Sequence, residues 1–310
     1  MRFFSLTILL LLGHVACAGD VEVGLVKWGR DLDGALQRTG AGGKPTLVLF
    51  QEVPGCAGCR KFGQEVLSHS QVVEAIESEF EPVLVYNNRP GRDAEILARF
   101  REPSWNFQVI RFLDSNGKDI LPRRDGVWEA GDLAVRMVRA LEAAERPVPN
   151  YLRALAGIKL ANEPARAAFA MHCFWTGELV FGGVPGVIRT EAGWLENREV
   201  TLVEFDRSLV SFDELLEHAS RSDCDRKVFV TNATDAERSR AKGLPTGELG
   251  NEYRAARASD QKRQIRGTTW ERLNLSPTQA TKLNALARRN PDDAVSWLSP
   301  RQKALLLKQP

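Results

Sequence analysis

The chain has 310 residues, 43% of them hydrophobic and 26% charged, with a formal net charge of +2. This is the composition of an ordinary globular protein with apolar material for a sizeable core, and the length exceeds one average domain. A charge so close to neutral argues against a dedicated nucleic-acid surface, and the locally basic KRQIRGTTW reads as a solvated helical face.

The N-terminus, MRFFSLTILLLLGHVACAGD, has a positive start at Arg2, an apolar run from Phe3 to Leu12 and an A-x-A cleavage site at Ala16-Cys17-Ala18. The run falls short of the roughly 20 residues that span a bilayer, so it reads as a secretory signal, residues 1–18, cut after Ala18. Cleavage before Cys17, as in a lipoprotein, is the less favoured alternative because His14 stands where an aliphatic residue is wanted. The mature chain is expected in a periplasm or outside the cell. Removing Cys17 leaves Cys56, Cys59, Cys173 and Cys224, too few for a disulfide scaffold at this length.

Residues 26–147 alternate strand and helix signals. A helix is expected from Asp31 to Arg38, a buried strand at PTLVLFQ, a helix through CRKFGQEVLSHSQVVEAIESEF, and a second strand at EPVLVYNN. DAEILARF is a short helix, QVIRFLDSNGKDIL a hairpin turning at Ser115-Asn116-Gly117, and GDLAVRMVRALEAAE a closing amphipathic helix. The Pro-rich RPVPNY, residues 146–151, marks a boundary, dividing the mature chain at 150. Beyond it, RAAFAMHCF, a helix from about Thr176, GVIRTEAGW, REVTLVEFD, SFDELLEHAS, RKVFVTN and DAERSRAKG give β-α-β-β-α-β-α, a ferredoxin-like split unit over 151–245. Residues 246–310 read as polar loop and helices, with SPTQ (276–279) and SPRQ (299–302) both fitting capping boxes.

Two stretches carry chemistry. In EVPGCAGCRK a C-x-x-C lies in a strand-to-helix turn. Free N–H groups and the helix dipole there stabilise the thiolate of Cys56, while Cys59, one turn further in, can form or break a disulfide with it. A structural disulfide is the bland alternative. A zinc site would need a second Cys or His pair at matched spacing, and the sequence has none. The strand, the PGCAGC turn and the following helix resemble the thioredoxin-like family, which implies that fold and a redox-active pair. That family places a cis-proline before the strand facing its cysteines; here Gln108 stands at or near that position.

The second stretch is AFAMHCFWTGELV. Cys173 again precedes a helix, and Phe174 and Trp175 beside it offer an apolar wall, although an isolated Cys-Phe-Trp reads more readily as core packing. With GVPGVIRTEAGW, then ENREVTLVEFD, then SFDELLEHA, it is similar to the peptide methionine sulfoxide reductase A family over about residues 165–220. The resemblance implies Cys173 as nucleophile and Phe174 and Trp175 as the pocket for the sulfoxide methyl. It places Glu199 as the acid that protonates the oxygen, and Trp194 where the family has the Tyr of its G-Y pair. His172 and Thr176 replace two family glycines, and GELGNEYRA offers Tyr253, with Glu248 as its acidic partner, for a later Tyr. Cys224 is either a resolving thiol or a small buried residue.

An α/β chain with a thioredoxin-like half and a sulfoxide-reductase-like half is therefore expected to be a thiol-dependent enzyme of protein repair. Its expected partners are oxidised peptides or proteins containing methionine sulfoxide and a membrane or periplasmic thiol donor, with no cofactor, no metal and no nucleic acid. The alternative is a thiol-disulfide oxidoreductase whose second half binds clients without catalysis.

Overall fold

The computed structural model describes residues 20–105, 108–222 and 227–307. The expected signal segment and Cys224 lie outside these residues. None of the described helices is long and apolar enough to cross a membrane.

The first half is a four-stranded sheet flanked by helices. After α1 (Leu32–Gly42) comes β1 (Thr46–Gln51), wholly buried. Then follow α2 (Ala57–Glu65), α3 (Ser70–Glu79), β2 (Glu81–Tyr86), α4 (Arg92–Phe100), β3 (Val109–Leu113), β4 (Arg124–Asp125) and α5 (Ala130–Ala143). The sheet order is β2-β1-β3-β4, with β1 parallel to β2 and antiparallel to β3, the thioredoxin-like arrangement expected from the sequence. β1 is sandwiched, so it is a continuous apolar run: Leu47 and Leu49 enter one core with Phe62 and Phe112, while Val48 and Phe50 enter another with Leu32 and Ile96.

Two local expectations change. The helix expected across residues 59–80 is two helices, broken where the Ser68 hydroxyl donates back to the Gly63 carbonyl (2.8 Å) and Leu25 N–H takes the Leu67 carbonyl. Apolar periodicity continues across such a break, so it cannot be read from spacing. The turn at 115–117 forms, with Asp114 Oδ1 accepting the N–H groups of Asn116 and Lys118. The expected arm meets β3 through an isolated bridge between Leu113 and Asp119, and the ladder strand opposite β3 is β4, which begins three residues beyond that arm.

After the Pro-rich break, α6 (Asn150–Ala156) folds back on the first half, burying Tyr151 and Leu152 in its core. The second half runs β5 (Pro164–Ala170), α7 (Phe174–Gly182), β6 (Val187–Leu195), β7 (Arg198–Asp206), α8 (Phe212–Ser220), β8 (Val228–Val230) and α9 (Ala233–Ala241). Its central order, β6-β7-β5-β8 with antiparallel neighbours, is that of the ferredoxin-like split unit. Polar loop was expected after 245. Instead β9 (Thr246–Glu248) and β10 (Arg254–Ala255) supply the two edge strands, too short to leave a period in the sequence.

The C-terminal helices α10 (Pro277–Leu286), α11 (Pro291–Ser296) and α12 (Pro300–Leu307) connect the halves. On one side the Gln71 amide donates to Gln279 Oε1 (2.5 Å), the Ser276 hydroxyl to the Ala154 carbonyl (3.1 Å), and Arg301 pairs with Glu77 (2.7 Å). On the other, Thr190 N–H donates to the Thr281 hydroxyl (3.1 Å) and buried Lys282 to the Val184 carbonyl (3.0 Å). Gly182 permits the approach of α7 to α10: a Cβ there would lie 2.9 Å from that of Ala285.

Candidate active site

At the first site β1 ends at Gln51, whose buried amide donates to the carbonyls of Glu22 (2.8 Å) and Cys59 (3.3 Å). Asn88 clamps the turn by bonding both the N–H and the carbonyl of Val53 (3.3 Å each), and Gly55 N–H donates to Glu22 Oε1 (3.0 Å). The Val53–Pro54 peptide is cis. Cys56 is the extended N-cap of α2, exposed, while Cys59 is buried at 1% exposure, and their sulfurs are 3.5 Å apart.

This geometry divides the pair electrostatically. Hydrogen bonding from the Cys59 backbone at the helix N-terminus, with smaller help from the Cys59 thiol and Gly58 N–H, holds the Cys56 thiol below its ordinary value. Burial, reinforced by the neighbouring Cys56 sulfur, pushes the Cys59 thiol up to about 11. Cys56 is thus the exposed thiol with the lowered value and Cys59 the buried one with the raised value. The Trp128 ring lies against Gly58, where a Cβ would meet it at 3.1 Å, a neighbour that no local pattern announced. Gln108 precedes β3 and is buried, and among the described residues neither of its side-chain polar atoms has a hydrogen-bond partner.

At the second site Cys173 is the N-cap of α7, half-buried. The strand before it ends at Ala170 and the helix starts at Phe174, so Cys173 stands at the first free N–H groups of α7. Glu199, on β7, reaches that helix end: Phe174 N–H donates to its Oε2 at 2.9 Å, and its carbonyl accepts Met171 N–H at 2.9 Å. Phe174 is buried, with Trp175 and Trp194 edge-on to it at 5.8 and 5.7 Å. Cys173, Phe174, Trp175, Trp194 and Glu199, five residues from three elements, therefore converge.

The C-terminal segment closes one side of this site. Trp175 Nε1 donates to the Asp260 carbonyl (2.8 Å), and the Arg263 guanidinium sits 5.2 Å from the indole ring. Gln261 bonds both the N–H and the carbonyl of Ala192 (3.0 and 2.7 Å), and Lys262 is an interior partner of fully buried Glu178 and of the Thr190 carbonyl (2.7 Å). These contacts join positions about seventy to eighty-five residues apart, beyond the reach of sequence spacing. Tyr253 also lies here, on Gly193, where a Cβ would be 2.4 Å from the phenol ring. Its hydroxyl donates to Glu191 Oε1 (2.9 Å), and burial with that neighbouring carboxylate raises it well above its ordinary range. Glu248, the expected partner of Tyr253, is on β9 at the opposite edge of the sheet.

The two halves thus define a mixed α/β protein with one thiol at a helix N-terminus in each. No family model matches the chain. Among curated proteins it is similar to peptide methionine sulfoxide reductase A5 of Oryza sativa subsp. japonica, 29% identical over 139 residues, 41% of this chain and 52% of the relative. It is likewise similar to the MsrA of Shigella boydii serotype 4, 30% identical over 139 residues, 38% of this chain and 58% of the relative. The chain spans about half the length of the curated relatives it matches. Among solved structures a DsbH oxidoreductase aligns with 40% of this chain and 88% of its own, at 20% identity and a TM-score of 0.33.

Proposed function

We propose that the chain is an exported thiol-dependent oxidoreductase that reduces methionine sulfoxide in peptides, with the C-x-x-C half regenerating the catalytic thiol. The observation that carries this reading is the Cys173–Glu199 juxtaposition: thiol and carboxylate share the N-terminus of α7 beside two edge-on aromatic rings. The Cys173 thiolate attacks the sulfoxide sulfur while Glu199 delivers a proton to the oxygen. The oxygen passes to Cys173, giving methionine and a sulfenic acid. A second thiol, Cys224 or Cys56, attacks the sulfenic sulfur, forming a disulfide and releasing water. Cys56 attacks a Cys173–Cys224 bridge, or Cys59 attacks Cys56 in a Cys173–Cys56 bridge; either route frees Cys173 and ends in a Cys56–Cys59 disulfide, which takes two electrons from a periplasmic or membrane thiol donor. Tethering reductant to reductase raises its effective concentration to about millimolar.

The test is release of methionine from a methionine sulfoxide peptide with dithiothreitol, followed by mass spectrometry. Turnover that vanishes in Cys173→Ser is expected; no turnover in the parent chain overturns the reading. One feature favours a second reading, in which this half binds clients only: Trp175 is already tied to the Asp260 carbonyl by its ring N–H. Insulin reduction that needs Cys56, in a chain inert toward the sulfoxide, would support it.

A further inference from the structure

Glu52, Cys56 and Cys59 bring one carboxylate oxygen and two sulfurs within 4.8 Å of one another. Sequence spacing left the C-x-x-C one ligand pair short of a zinc site; the fold supplies a third donor from the end of β1. We propose that in its reduced state this trio holds a thiophilic divalent cation such as Zn(II), with the fourth position open to water or a ligand.

Three observations support the site. The first is geometry: sulfurs bound to one tetrahedral zinc at about 2.3 Å lie roughly 3.8 Å from each other, and here they are 3.5 Å apart before any ion is bound. Binding thus needs displacements of only a few tenths of an ångström in the sulfurs. The second is rigidity. Gln51 and Asn88 anchor the chain on either side of Glu52, which fixes where its side chain originates beside the dithiol.

The third is charge. Among the described residues Glu52 has no hydrogen-bonding or ion-pair partner for its side chain, and its carboxylate lies within 4.8 Å of both sulfurs, where like charge works against a thiolate. For thiol-disulfide exchange alone a carboxylate there is a handicap, because the thiolate is the reactive form. A divalent cation reverses the sign: three negative donors and one doubly positive ion nearly neutralise each other. A carboxylate-thiolate set with an open position suits a borderline ion such as Zn(II).

Binding displaces the thiol protons of Cys56 and Cys59, so it tightens with rising pH, and no electron is transferred. A disulfide at about 2.05 Å leaves no thiolate to donate, so metal and oxidised states exclude each other. Zinc would keep the dithiol reduced and block its exchange until the ion is removed.

The test uses the whole chain, reduced and metal-free under nitrogen, titrated with Zn(II) against a chromophoric chelator. One zinc per chain is expected, abolished in Cys56→Ser and weakened at least tenfold in Glu52→Gln, while Cys173→Ser still binds one. Zinc is also expected to suppress insulin reduction, and a chelator to restore it. Unchanged affinity in Glu52→Gln, or stoichiometry that survives Cys56→Ser, overturns the proposal. A matching melting temperature for oxidised parent and oxidised Glu52→Gln confirms that folding is not the cause. Because zinc binding is read directly, its failure is distinct from failure of sulfoxide or insulin reduction.

Discussion

Limiting iodoacetamide added to the reduced chain at pH 7.5 is expected to label Cys56 and spare Cys59. With its thiol at about 11, Cys59 is roughly 0.03% thiolate at that pH, whereas a cysteine at the unshifted 9.0 is roughly 3%. Cys56 lies below that value, so the thiolate ratio is at least about 100. Basic thiolates are the better nucleophiles, and a Brønsted coefficient near 0.45 over about 2 units returns a factor of roughly 8 to Cys59. The net preference is still about tenfold, before counting that Cys59 is 1% exposed. Peptide mapping after a timed quench measures it. The rate at Cys56 should level off at lower pH than that of an ordinary cysteine, while that at Cys59 keeps rising past pH 10. Equal labelling, or a Cys59 profile that levels off near 8.5, refutes the argument that burial sets the division of labour.

Glu199→Gln removes a proton donor while preserving shape, and should cut sulfoxide turnover by about 10²- to 10⁴-fold with Cys173 still open to alkylation; full activity would dismiss Glu199 as the acid. Lys282 is held by burial at about 8, below its unfolded value of 10.5, so folding disfavours its charged form. That cost is absent above pH 10.5 and is complete once pH has fallen below 8. Lys282→Met should therefore stabilise the chain at pH 6.5 by up to about 3 kcal/mol and much less at pH 10.5; melts at the two pH values check this, and equal effects at both argue against it. Gly182→Ala forces its Cβ to 2.9 Å from that of Ala285, and a loss of about 1–3 kcal/mol in denaturant unfolding is expected.

How far the sequence reaches depends on how local each feature is. Cys56 and Cys173 are legible because a thiol's position at a helix N-terminus depends only on the few residues around it. Strands such as Thr46–Gln51 and Arg198–Asp206 are legible because apolar runs and alternation follow from burial of one or both faces. Ser276-Pro-Thr-Gln279 forms the capping box that its spacing implies, and Ser211-Phe-Asp-Glu214 forms another at the start of α8. Glu199 beside Phe174 was accessible only through resemblance, since a strand carboxylate by itself is ordinary surface.

Tertiary structure alone decided the rest. The carboxylate of Glu52 beside the dithiol, the Trp128 ring on Gly58, the hold of residues 260–263 on Trp175, and the partner of Tyr253 being Glu191 rather than Glu248 all depend on where distant segments pack. The C-terminal helices show this most plainly. Their sequence specifies amphipathic turns and caps, but their place between the two halves is set by surfaces that exist only after both sheets have formed.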